Sequence, residues 1–116
     1  MLKGKGGPEH QKAQRLIRDY YQARGMVAVI EAFLGNKNID VLVQDAVTGK
    51  TIAIEYQTTV KHALENVLLD QDYCDEVILV SADIRVLGQM KRKIDGNGAI
   101  NGQKVKYRLL EEFIPQ

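Results

Sequence analysis

A single cysteine, Cys74, leaves this chain of 116 residues without an internal disulfide or a soft-ligand cage for zinc, which needs several such ligands. That usage suits a reducing, cytoplasmic setting. Long apolar runs are also missing, and no stretch approaches the length of a membrane span. The opening Met-Leu-Lys-Gly-Lys-Gly-Gly has basic residues with no apolar core behind them, so it is not a secretory signal. A net charge of +1 excludes a globally basic coat, while leaving room for a basic strip on one face. No glycine-rich phosphate loop follows a strand, and no nucleophile–base pair stands out, which weighs against a small-molecule α/β enzyme. The two histidines, His10 and His62, lack partners at a metal-ligand spacing and read as solvent-facing.

What remains is an ordinary globular composition, 45% hydrophobic and 27% charged, in a chain long enough for one core and too short for two domains. Residues 1–8 read as a flexible basic arm and residues 9–116 as a single domain. Pro8 suits a helix start, and Ala13, Leu16, Ile17, Tyr20 and Tyr21 recur at helical spacing until Gly25, predicting a helix near residues 9–24. Met26–Phe33, a Gly-Asn-Lys-Asn loop, and runs near 39–46 and 51–58 predict three strands in an antiparallel meander.

Thr58 or Thr59 is the expected cap of a second helix with Val60, Ala63, Leu64, Val67 and Leu68 inward and Lys61, His62, Glu65 and Asn66 outward. The uniformly apolar Val77–Val80 reads as a parallel crossover strand. A third helix is expected with Ile84, Leu87, Met90 or Lys91, and Ile94 on its inner face, ending at Asp95-Gly96-Asn97-Gly98. Val105–Leu110 forms the last strand. The resulting order is α-β-β-β-α-β-α-β, an α/β mixed sheet flanked by helices.

Strand periodicity puts Glu55 and Gln57 on one face, and the Val47-Thr48-Gly49-Lys50 turn folds them back toward Asp40. A turn centred on Val47-Thr48 sets Asp40 opposite Glu55; one centred on Thr48-Gly49 sets it opposite Gln57. Either even register gathers the two carboxylates, whereas a slip of one residue separates them unless a bulge intervenes. Glu55 interrupts an apolar run in an expected central strand, where an unpaired carboxylate costs on the order of a few kcal/mol. It therefore calls for a cation or a cleft.

An Asp at the start of the second strand, followed by Glu-x-Gln in the third, resembles the PD-(D/E)xK nuclease superfamily of restriction enzymes and archaeal Holliday-junction resolvases. The likeness spans most of the chain. Lys5-Gly6 followed by Glu9 also looks like the resolvase-type opening, in which a glutamate of the first helix joins the site. This resemblance implies a restriction-endonuclease-like fold and a metal-dependent DNA endonuclease. Asp40 and Glu55 would be its ligands, with the Tyr56 carbonyl and Glu9 as further donors to magnesium, or to manganese in its place. The family's usual lysine is here Gln57, which orients a water by hydrogen bonds but brings no charge.

Lys37, Lys61 and His62 are the expected phosphate contacts, and a homodimer the expected assembly, since two symmetric sites cut two strands most simply. The competing reading is a catalytically silent module of the same fold that binds DNA or protein in a larger DNA-processing assembly. Lys91-Arg92-Lys93 reads as a solvated helix face, and Tyr20, Tyr21 and Tyr107 as partly buried core or interface residues.

Overall fold

The structure is a computed structural model that describes residues 7–115. The basic arm expected over residues 1–8 therefore lies largely outside the described residues. Helix α1 (Pro8–Gln22) opens on proline at its first turn, where a missing N–H costs nothing. Strands β1 (Val27–Leu34), β2 (Lys37–Gln44) and β3 (Thr51–Tyr56) follow, then α2 (Ala63–Asp70), β4 (Glu76–Ser81), α3 (Ile84–Asp95) and β5 (Val105–Leu109). Short 3₁₀ turns flank β5. The five strands lie in sequence order in one sheet. The first three pair antiparallel, and β3–β4 and β4–β5 pair parallel, as each crossover through a helix requires. No helix among the described residues is long and apolar enough to cross a membrane.

Alternation divides the core into two layers. Val41, Val43, Ile52, Ile54, Ile78 and Val80 meet Ala13, Ile17 and Tyr21 of α1 on one face. On the other, Val77, Leu79 and Val105 meet Ala63 and Val67 of α2 and Val86, Leu87, Met90 and Ile94 of α3. Full burial of each such large aliphatic side chain contributes about 2 kcal/mol relative to exposure.

The β2–β3 turn settles the register. Gly49, at φ +77, takes the left-handed position that glycine adopts at low cost. Asp45 accepts the Val47 N–H through its carboxylate and the Gly49 N–H through its carbonyl. Val41 then pairs with Ile54 and Gln44 with Thr51, so the hairpin is centred on Val47-Thr48.

Several expected boundaries shift. Lys37 belongs to β2 rather than to the loop before it, and β3 stops at Tyr56, leaving residues 57–62 irregular. Neither Thr58 nor Thr59 caps α2. Its N-cap is His62, in the left-handed region at φ +70, so Val60 precedes the helix instead of belonging to it. In α3, Ile84 is 65% exposed and Val86 takes the buried position, because Asp83 caps the helix through the Arg85 N–H and so sets its phase. Lys91 is exposed and pairs with Asp95 one turn on.

Candidate functional site

Asp40 sits where β2 changes face. Ile39 packs with Ala53 and Cys74 on the α2 side, while Val41 packs under α1, although strict alternation would put both on one side. The β1–β2 ladder steps from Ile30↔Val41 to Ala32↔Ile39, passing over Glu31 opposite Asp40. Glu31 is held at φ +54, a conformation costing a non-glycine residue on the order of 1–2 kcal/mol. Gln14, buried in α1, donates to both the Glu31 carboxylate (3.3 Å) and the Asp40 carbonyl (3.4 Å). The Gln57 N–H goes to Val80 on β4, so the Tyr56 N–H faces β2. There the Asp40 Oδ2 accepts it at 2.8 Å, and Asp40 Oδ1 lies 3.1 Å from His10 Nε2.

Glu55, wholly buried on the central strand, points to the α2 side. Its Oε2 accepts from Lys37 Nζ at 2.7 Å, and the same ammonium lies 3.4 Å from Oδ1 of Asp70, the last residue of α2. Burial, a hydrogen bond shared with the Asp70 carboxyl, and the charges of Asp70 and Asp40 push Glu55 well above the usual carboxylate range, with Lys37 pulling it back down. Asp40 and Glu55 thus lie within electrostatic reach of one another. Their described partners come from opposite layers, His10 of α1 for Asp40 and Asp70 of α2 for Glu55.

Above them, at the end of β3, a cleft of about 450 Å³ opens between the first turn of α1 and the start of α2. His10, Lys37, Gln57, Lys61 and His62 line it. Gln57 is oriented by α2: its Oε1 accepts from Asn66 at 2.7 Å, and its Nε2 faces the Lys61 carbonyl at 3.5 Å. Glu9 takes the Tyr56 hydroxyl at 3.1 Å. Burial, with that carboxylate beside it, pushes the Tyr56 hydroxyl up to about 12. His62 binds Glu65 at 2.8 Å.

Four members of this cluster, Gln14 among them, are not among the site residues expected from the sequence. His10 reads from the sequence as solvent-facing, yet its side chain is 15% exposed and bonded to Asp40. It shares the buried face of α1 with Ala13, Gln14 and Ile17, which was the available signal. Asp70 falls on the stripe of Ala63 and Val67, where an acid among apolar positions marks a buried partner. Glu31 left no signal, since its role depends on a backbone conformation that no pattern of residue types announces.

The donors suit a hard divalent cation. Carboxylate oxygens are its preferred ligands, and the burial and acid–acid repulsion that raise Glu55 are what such a charge would offset. Among the described residues no three His, Cys, Asp or Glu side chains are set as a ready metal shell, and the Lys37 ammonium rests on Glu55.

No protein-family model matches the chain, and no curated protein matches it either. The chain is similar in structure to a protein of unknown function from Silicibacter pomeroyi, with a TM-score of 0.54 and 20% identity. The likeness covers 74% of this chain and 59% of that protein, so the chain spans well under two thirds of its neighbour's length. This resemblance concerns the α/β fold alone.

Proposed function

We propose that this domain is a magnesium-dependent DNA endonuclease of the restriction-endonuclease-like fold, acting as a homodimer. The observation that carries the reading is the placement of Asp40 and Glu55 on adjacent central strands, within electrostatic reach, beneath a cleft lined by Lys37, Lys61 and His62. Asp40 and Glu55 would hold the ion, with the Tyr56 carbonyl and Glu9 as further oxygen donors. A bound magnesium or manganese supplies charge to the phosphate oxygens and lowers the pKa of water.

The chain's own residues do the rest. Lys37, on a flexible four-carbon stem beside Glu55, would supply positive charge to the scissile phosphate. Gln57, braced by Asn66, holds the attacking water by its amide. Lys61 and His62 neutralise a flanking phosphate at the rim of the cleft.

A second reading, a silent nuclease-fold module that binds DNA or protein, draws support from the uncharged Gln57 side chain already engaged by Asn66. Incubation of the native chain and Asp40→Asn with supercoiled plasmid, branched DNA and single strands, in magnesium or manganese, separates the two. Metal-dependent cleavage by the native chain alone supports the enzyme. DNA retention without cleavage or ion uptake supports the module.

A further inference from the structure

We infer that His10 is a positioning residue that aims the Asp40 carboxyl into the site, an inference that rests on the metal-site reading above. Asp40 is gripped at three atoms, and two of the grips come from one face of α1. His10 Nε2 lies 3.1 Å from Oδ1, and Gln14, one turn later, donates to the Asp40 carbonyl at 3.4 Å. The third is the Tyr56 N–H on Oδ2 at 2.8 Å.

The imidazole is itself fixed. Its ring packs edge-on against Tyr56, with centroids 5.5 Å apart and planes at 68°. The neighbouring Glu9 holds the Tyr56 hydroxyl at 3.1 Å, so the first turn of α1 is latched to β3 beside His10. Since an ionised carboxylate only accepts, Nε2 carries the proton and donates.

This arrangement decides a rotamer. Asp40 sits where the strand changes face and the β1–β2 ladder is interrupted beside it, so hydrogen bonds to its oxygens set the direction of its carboxyl. Tyr56 secures one oxygen in the sheet plane; His10 secures the other and lies at the wall of the cleft. Groups that orient a carboxylate ligand typically contribute 10–100-fold in metal affinity. A purely structural role would cost folding stability instead, and any donorless substitution would cost the same whatever the ion.

The test is Mn²⁺ titration calorimetry on the full chain as native protein, His10→Gln, His10→Ala and Asp40→Asn, with thermal unfolding of each. The expected result is that His10→Ala binds Mn²⁺ about 10–100-fold more weakly, while His10→Gln, which keeps a donor, returns to within a few-fold of native at a similar melting temperature. Native-like affinity in His10→Ala, beside abolished binding in Asp40→Asn, overturns the role of His10 and leaves the metal site standing. Equal losses in His10→Gln and His10→Ala also overturn it, since the donor would then be irrelevant. A native chain that takes up no Mn²⁺ overturns the metal site and this inference with it.

Discussion

Lys37 Nζ lies 2.7 Å from Glu55 Oε2, and both side chains are withdrawn from water, at 11% and 0% exposure. One ammonium from β2 thereby serves an acid of β3 and, at 3.4 Å, Asp70 of α2. Removing one partner of such a buried pair strands the others, so Lys37→Met is expected to cost about 3–5 kcal/mol in urea unfolding near pH 8. The loss should shrink in a second measurement at lower pH, as Glu55 takes up its proton. A Lys37→Met chain as stable as native at both pH values would show that the pair contributes nothing.

Glu55 also gives stability a pH dependence of definite sign. Its carboxyl ionises above the ordinary value of 4.5 in the folded chain and near that value when unfolded. The folded state therefore holds the proton more tightly. Its contribution is complete below the unfolded value and is lost as pH rises through the folded one. Relative to Glu55→Gln, the native chain should lose stability as pH rises above the ordinary carboxylate range in metal-free buffer. Saturating Mn²⁺ should return about 2.7 kcal/mol at one hundred times its Kd. Parallel profiles for the two proteins would contradict the assignment.

Gln57 lines the cleft and is bonded to Asn66. Gln57→Lys adds a cation beside the cleft and breaks the bond to Asn66, costing about 1 kcal/mol of stability. Cleavage should rise by about tenfold or more at limiting magnesium, because a charge aimed at the reacting phosphate is worth at least that much. Rates unchanged across magnesium and manganese concentrations would remove position 57 from the chemistry.

Lys61 faces the same cleft from the segment before α2. If it meets a phosphate, Lys61→Ala should weaken DNA binding alike for all sequences and flatten the plot of log K against log salt by about 0.9. An unaltered slope, measured by fluorescence anisotropy with catalysis blocked by Asp40→Asn, would place the DNA elsewhere.

Much of this architecture is legible in the residue pattern. The helical spacing from Ala13 to Tyr21, the apolar Val77–Val80 and the β2–β3 turn each depend on local periodicity, which tertiary contacts then used unchanged. The boundaries that moved did so where a single contact competed with propensity. At the start of α2, His62 in place of a threonine became the cap; in α3, the Asp83 cap rotated Ile84 outward. Of the candidate site, Glu55 was visible because an acid in an apolar strand is costly, and Asp40 because its place at the start of the second strand resembles the nuclease motif. Asp70 and His10 lie on the buried faces of their helices, but the partners that hold them, Lys37 and Asp40, are distant in sequence.

Residue order alone pointed to the α/β layering and left the hairpin register open between two even settings that gather Asp40 with Glu55 and an odd one that parts them, since alternation and turn chemistry act over a few neighbouring residues. Folding in three dimensions chose their partners. Lys37 came to Glu55, Asp70 beside it, and His10 to Asp40, across separations of up to 33 positions that no local rule spans. It also turned β2 over at Asp40, because the strained Glu31 and the Tyr56 N–H hold the backbone there against strict alternation.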